Sequence, residues 1–113
     1  MNLDGVSKHL LICNGKSCVK KGAEEVTDTI RGELNRLDLY KDILTTKTLC
    51  NGQCKYGPIA VLYPQGTWYK EMNKTKSEEL VRQLKENDNV ILNSKLYYYD
   101  GKSFKNHVGE IPL

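Results

Sequence analysis

This chain of 113 residues predicts an α/β fold, a mixed four-stranded sheet with helices packed on it. Three observations carry that prediction. A strand-like run, an amphipathic helix and a second strand-like run follow one another between residues 8 and 49. A short hairpin pattern spans residues 59–71, and a second amphipathic helix ends near residue 86. The two strands of a βαβ unit are parallel, whereas hairpin strands are antiparallel, so the sheet is mixed. The length allows one domain. With 39% hydrophobic and 27% charged residues, the composition is that of an ordinary globular chain and not of a disordered one.

Each element has its own signal. Residues 8–13 are short and apolar around Leu10, Leu11 and Ile12, and the Asn14-Gly15 turn signal follows at once. From Gly22 onward, Ala23, Val26, Ile30, Leu34 and Leu37 recur at steps of three and four and form a helical stripe. Glu24 and Glu25 suit the first turn, where negative charge meets the helix dipole. Gly32 inside the pattern costs about 1 kcal/mol relative to alanine. Asp42 to Leu49 reads as the second strand. Ile59 to Tyr63 is the longest apolar run and reads as a central strand. Pro64-Gln65-Gly66 turns the chain into a return strand, Thr67 to Glu71. Thr75 and Glu78 match a capping box, behind which Leu80, Val81 and Leu84 form the second helical stripe. This order is a thioredoxin-like arrangement.

Residues 1–86 hold all of these elements and read as the domain. Residues 87–113 read as an aromatic C-terminal extension of the same domain. Val90-Ile91-Leu92 and Leu96 to Tyr99 are strand-like, and Asp100-Gly101 is a hairpin turn signal. The extension is expected either to fold over the domain or to pair with a second copy of the chain.

Composition excludes several classes. Lys and Arg number 17 against 14 Asp and Glu, a formal charge of +3. That is too weakly basic to indicate a nucleic-acid partner. The apolar runs fall far short of the about 20 residues that span a bilayer. Asp4 precedes any lysine, which is not the start of a signal peptide. A cytoplasmic protein is expected, with no membrane partner.

Four cysteines in a reducing compartment point to metal or redox chemistry more than to disulfides. They fall into two pairs, Cys13-x4-Cys18 and Cys50-x3-Cys54. Each pair begins where an apolar strand ends, and each first cysteine is followed by Asn-Gly. In a βαβ unit both strands point the same way, so Cys13 and Cys50 are expected at one end of the sheet. That end is where open α/β sheets bind ligands. Four thiolates suit an iron–sulfur cluster, and equally a tetrahedral zinc site. Gly15 and Gly52 are expected to take positive φ and bring backbone amides close to sulfur.

The residues Cys13-x-Gly15-x-x-Cys18-x-x-x-Gly22-Ala23, Thr48-x-Cys50-x-Gly52-x-Cys54-x-x-Gly57-Pro58 and Tyr63-Pro64-x-Gly66-x-Trp68-Tyr69 resemble the thioredoxin-like 2Fe-2S ferredoxin family. The resemblance runs from Leu10 to about Leu84. Relatives include the small cluster-bearing subunit of bacterial NADH–quinone oxidoreductase, whose N-terminal helical region lies outside the resemblance. Similar ferredoxins lie beside anaerobic cobalamin-biosynthesis genes in bacilli. The resemblance implies one 2Fe-2S cluster, with Cys13 and Cys18 on one iron and Cys50 and Cys54 on the other. It implies a one-electron carrier and redox protein partners. Two alternatives stay open: a zinc-stabilised four-cysteine interaction domain, and a thiol–disulfide oxidoreductase, whose usual Cys-x-x-Cys is missing.

No constellation for substrate turnover is evident, so a non-enzymatic role is expected. A Rieske centre needs two histidines on one iron, and His9 and His107 read as a surface and a tail residue. Trp68 and Tyr69 read as packing residues of the hairpin. Lys16, Lys20, Lys21, Lys47 and Lys55 lie in or beside the cysteine loops. They are expected to favour the reduced cluster and to guide an acidic partner, the alternative being ordinary solvated lysines.

Overall fold

The computed structural model describes residues 2–86, 90 and 92–106. Strand β1 spans Lys8–Cys13, β2 Ile43–Thr48, β3 Ala60–Tyr63 and β4 Thr67–Tyr69. Helix α1 spans Lys16–Lys20, α2 Ala23–Arg36 and α3 Lys74–Glu86. A single 3-10 turn covers Cys54–Tyr56. The extension contributes β5, Lys95–Tyr99, and β6, Phe104–Asn106. Among the described residues all six strands form one sheet in the order β2-β1-β3-β4-β5-β6.

The expected four strands are its first four. β1 and β2 are parallel, with Cys13 opposite Thr48. β1 and β3 are antiparallel, with Ile12 opposite Ala60, and β3 and β4 form the hairpin. The extension then adds β5 to β4, so it widens the sheet. A strand edge presents unpaired N–H and C=O groups, which β5 satisfies on β4. The β5–β6 turn is the one Asp100-Gly101 signals: the Asp100 carboxylate accepts from the amides of Lys102 and Ser103 at 2.8 and 2.9 Å. The strand expected over residues 90–92 is absent at Val90 and Leu92, which lie outside strands but pack into and against the core. Ile91 and His107 lie outside the described residues.

Period-two alternation gives the sheet two faces. Leu10, Ile12, Leu62 and Tyr69 face the helical layer and meet Val26, Ile30 and Leu34 of α2 and Leu80, Val81 and Leu84 of α3. Leu11, Val61, Tyr63, Trp68 and Tyr97 lie on the other face. There Trp68 meets Tyr97 and Phe104 edge-on at 6.2 and 6.0 Å, so it is a packing residue as expected. Cys13 alternates onto this second face.

Three local readings need correction. Helix α1 sits within the first cysteine loop and is too short to show a period. The Cys54–Tyr56 turn likewise leaves no periodic trace. The start of α3 is capped by Asn73 and not by the Thr75–Glu78 box. The Asn73 side chain accepts from the Lys76 amide at 2.8 Å, and its carbonyl accepts from the Ser77 amide and hydroxyl. The Met72 amide donates to the Pro58 carbonyl at 3.0 Å. That contact anchors the chain just before Asn73 and starts the helix two residues earlier than the box predicts.

Candidate functional site

The parallel pairing of β1 and β2 delivers both cysteine loops to one end of the sheet. Main-chain bonds tie them there: the Cys13 amide donates to the Ile59 carbonyl at 3.0 Å and the Asn14 amide to the Thr48 carbonyl at 2.8 Å. Cys13 and Cys18 are fully buried, Cys54 is half-buried and Cys50 is exposed, and none of the four is in a disulfide.

The first loop is braced by Asn14, whose side-chain amide donates to the Ile12 carbonyl and the Thr27 hydroxyl, both at 3.1 Å. Thr27 in turn donates to the Ala23 carbonyl at 2.9 Å. The turn signal after Cys13 therefore also clamps the loop to α2, a role its sequence position does not reveal. In the second loop Asn51 does a different job, accepting from the Gln53 amide at 3.3 Å.

The glycines separate into two kinds. Gly52 takes φ of +85°, as expected, and its amide donates to Cys50 Sγ at 3.4 Å. Gly15 does not: its φ is −63°. It is glycine because the second loop presses on it, and a Cβ there would lie 2.9 Å from Cys50 Cα and N. Gly57 is a second close approach, unrecognised as such from sequence. A Cβ on it would lie 2.7 Å from Cys18 Sγ and 3.2 Å from the Cys54 carbonyl.

Electrostatically, Cys13, Cys18 and Cys54 form one group. Burial, then the hydrogen bond with Cys13, then the nearby Cys13 and Cys54 sulfurs, push the Cys18 thiol up to about 11. The thiolate that any metal needs is therefore unfavourable until a cationic centre takes the proton's place. Cys50 joins through its backbone, against Gly15, while its sulfur turns to Gly52. Among the described residues no three cysteine, histidine or carboxylate groups converge on a single ion's position. Four soft thiol donors are of the kind an iron–sulfur centre takes, and Gly57 leaves the buried Cys18 sulfur clear of any side chain.

Lys21 is the other feature here. Its ammonium donates to the carbonyls of Cys54 at 2.9 Å and Lys55 at 3.4 Å. It straps the end of α1 to the second loop, which its reading as one of five loop lysines does not distinguish. His9 stands apart from the cysteines' end, with Nε2 2.7 Å from the Thr46 hydroxyl.

Residues 2–85 match the thioredoxin-like 2Fe-2S ferredoxin family. The chain belongs to that family. It is 42% identical over 103 residues to a Priestia megaterium protein named as a 2Fe-2S ferredoxin, covering 91% of this chain and 80% of that one. It is 35% identical over 91 residues to a 2Fe-2S ferredoxin of Clostridium pasteurianum, covering 74% and 89%. The solved thioredoxin-like 2Fe-2S ferredoxin of Aquifex aeolicus superposes with a TM-score of 0.67 at 26% identity, over 80% of this chain and 93% of that one. This ferredoxin is accordingly an electron carrier and not an enzyme, and a 2Fe-2S cluster is its cofactor. No described helix is long and apolar enough to cross a membrane.

Proposed function

We propose that this ferredoxin carries single electrons through one 2Fe-2S cluster held by Cys13 and Cys18 on one iron and Cys50 and Cys54 on the other. The observation that carries the ligand assignment is the parallel register of β1 and β2, Cys13 opposite Thr48, which brings both loops to one end. Storage of one electron is what the cluster supplies when bound. The chain's own residues do the rest. Asn14 and Lys21 hold the two loops, Gly15 and Gly57 admit the close contacts between them, and the burial of Cys13 and Cys18 excludes water from one side.

The assigned partners are the redox proteins that supply and take the electron, in the cytoplasm. A biosynthetic redox enzyme such as one of cobalamin synthesis is a partner class that the resemblance permits. A second copy of the chain, met through the aromatic extension with its exposed Tyr99 and Phe104, belongs to the same proposal. A solution mass that stays monomeric at every concentration removes that last part.

The test is the visible spectrum of anaerobically purified protein, with iron and acid-labile sulfide counted on the same sample. About two irons and two sulfides per chain, bleaching on reduction, are expected. Cys→Ser at each of the four positions in turn is expected to lose or alter the spectrum. Serine variants that leave it untouched overturn the ligand assignment. A colourless protein with about one zinc replaces the reading with a structural metal site.

A further inference from the structure

We propose that the exposed surface of the two cysteine loops, apolar at Leu49 and cationic at Lys16, Lys47 and Lys55, docks onto an acidic patch of the redox protein that exchanges the electron. The proposal rests on the ferredoxin reading above and names its partner's chemistry.

Charge is divided along the chain. Residues 5–23 and 43–70, which hold all four cysteines, contain seven lysines and no Asp or Glu. The remaining residues carry ten cations and fourteen acids. Lys8 begins β1 at the opposite end of the sheet, so six of the seven lysines stand on the cysteine side, against Glu24 and Glu25 at the start of α2 and Glu71, whose amide meets the Tyr56 carbonyl; the cysteine end is net basic. Lys16 follows Gly15, whose backbone abuts Cys50, and Lys47 precedes Cys50 by three residues. Lys55 follows Cys54, and its ammonium lies 5.6 Å from the centre of the Tyr56 ring, with that of Lys70 at 6.0 Å. Among the described residues none of Lys16, Lys47, Lys55 and Lys70 is paired with a carboxylate. Lys21 is excluded from the docking set because its ammonium already serves two carbonyls.

Leu49 is 84% exposed and adjoins Cys50, the exposed cysteine. A lone exposed leucine means nothing by itself. Here it stands in the chain between Lys47 and Cys50, on the loop that carries the exposed cysteine. An apolar centre with a charged rim is the anatomy of a protein interface, and the rim charges steer encounter. Nucleic acid or a membrane surface would use the lysines but has no need of an exposed cysteine among them.

The test uses the reduced holoprotein in rapid mixing with two oxidised probes: cytochrome b5, whose haem edge is ringed by carboxylates, and cytochrome c, whose haem edge is ringed by lysines. One electron passes to the ferric haem, which becomes ferrous, and no bond or proton changes. The second-order rate with cytochrome b5 is expected to fall about tenfold or more between about 10 mM and about 500 mM salt. The rate with cytochrome c is expected to rise or stay level. Lys47→Gln with Lys55→Gln should bring the low-salt cytochrome b5 rate down severalfold. Lys41→Gln with Lys102→Gln, the same charge change at the other end of the sheet, should not. Leu49→Ser should slow transfer at high salt, where steering is screened. Equal effects of the two lysine pairs, or no difference between the probes, overturn the docking surface. So does retention on phosphatidylserine vesicles or duplex DNA that the Lys47/Lys55 change abolishes while both haem proteins react alike. Iron, sulfide and spectrum are measured before mixing. A colourless protein fails there and removes the ferredoxin reading with the proposal, whereas a coloured protein with salt-independent transfer removes the docking surface alone.

Discussion

Gly57 shows how little room the cysteine end leaves. Its place beside Cys18 Sγ cannot accept even a methyl group without movement. Gly57→Ala is expected to displace that sulfur and speed cluster loss about tenfold or more, read as the decay of visible absorbance under a chelator. The far-UV circular dichroism should stay close to that of the parent. Unchanged decay would show that Cys18 shifts freely. Tyr69 makes the second prediction at this scale. It is buried in the core, and burial pushes its phenol up to about 12 from 10. A raised folded-state value means the stability is whole below pH 10 and is lost as pH rises toward 12. The loss is at most about 2 to 3 kcal/mol. Tyr69→Phe should therefore flatten alkaline unfolding above pH 10 while leaving the neutral melting temperature within a few degrees. The cysteine pairs were legible because ligand spacing is local. The reasons for Gly15 and Gly57 were not, since each is set by an atom more than thirty residues away, Cys50 for one and Cys18 for the other.

At the scale of elements, the long strands and helices announced themselves by period and the short ones did not. The α2 stripe from Ala23 to Leu34 appears as read, ending at Arg36 with Leu37 as its cap. The five residues of α1 span little more than one turn, so no apolar repeat can build up within them. The cap of α3 is Asn73 and not Thr75; both residue types fit the rule, and the local pattern does not rank them. Asn73→Ala is expected to cost about 1 kcal/mol of unfolding free energy in urea. Thr75→Ala should lie within about 0.5 kcal/mol of the parent, as an exposed position away from special features. A reversed ranking would return the cap to Thr75.

For the whole molecule, the extension is the part the sequence left between two outcomes. β5 completes the β4 edge, and Leu96, almost fully buried, packs in the cluster that also holds Cys13 and Cys18. Leu96→Ala is therefore expected to lower the stability of the entire chain by about 2 to 5 kcal/mol, as one cooperative transition. An unfolding curve that splits in two would instead mark the extension as a separate unit. By itself the sequence determined the order of the four strands and two long helices of residues 8–86, the parallel pairing of β1 with β2, and the arrival of both cysteine loops at one end. All of these follow from period, turn chemistry and the handedness of a βαβ unit, which operate within short stretches of chain. Only the tertiary structure decided which edge the extension joins, why Gly15 and Gly57 cannot carry a side chain, and that Lys21 straps one cysteine loop to the other. Those are contacts between segments remote in the chain. Their energies depend on distances of a few tenths of an ångström, which no local pattern encodes.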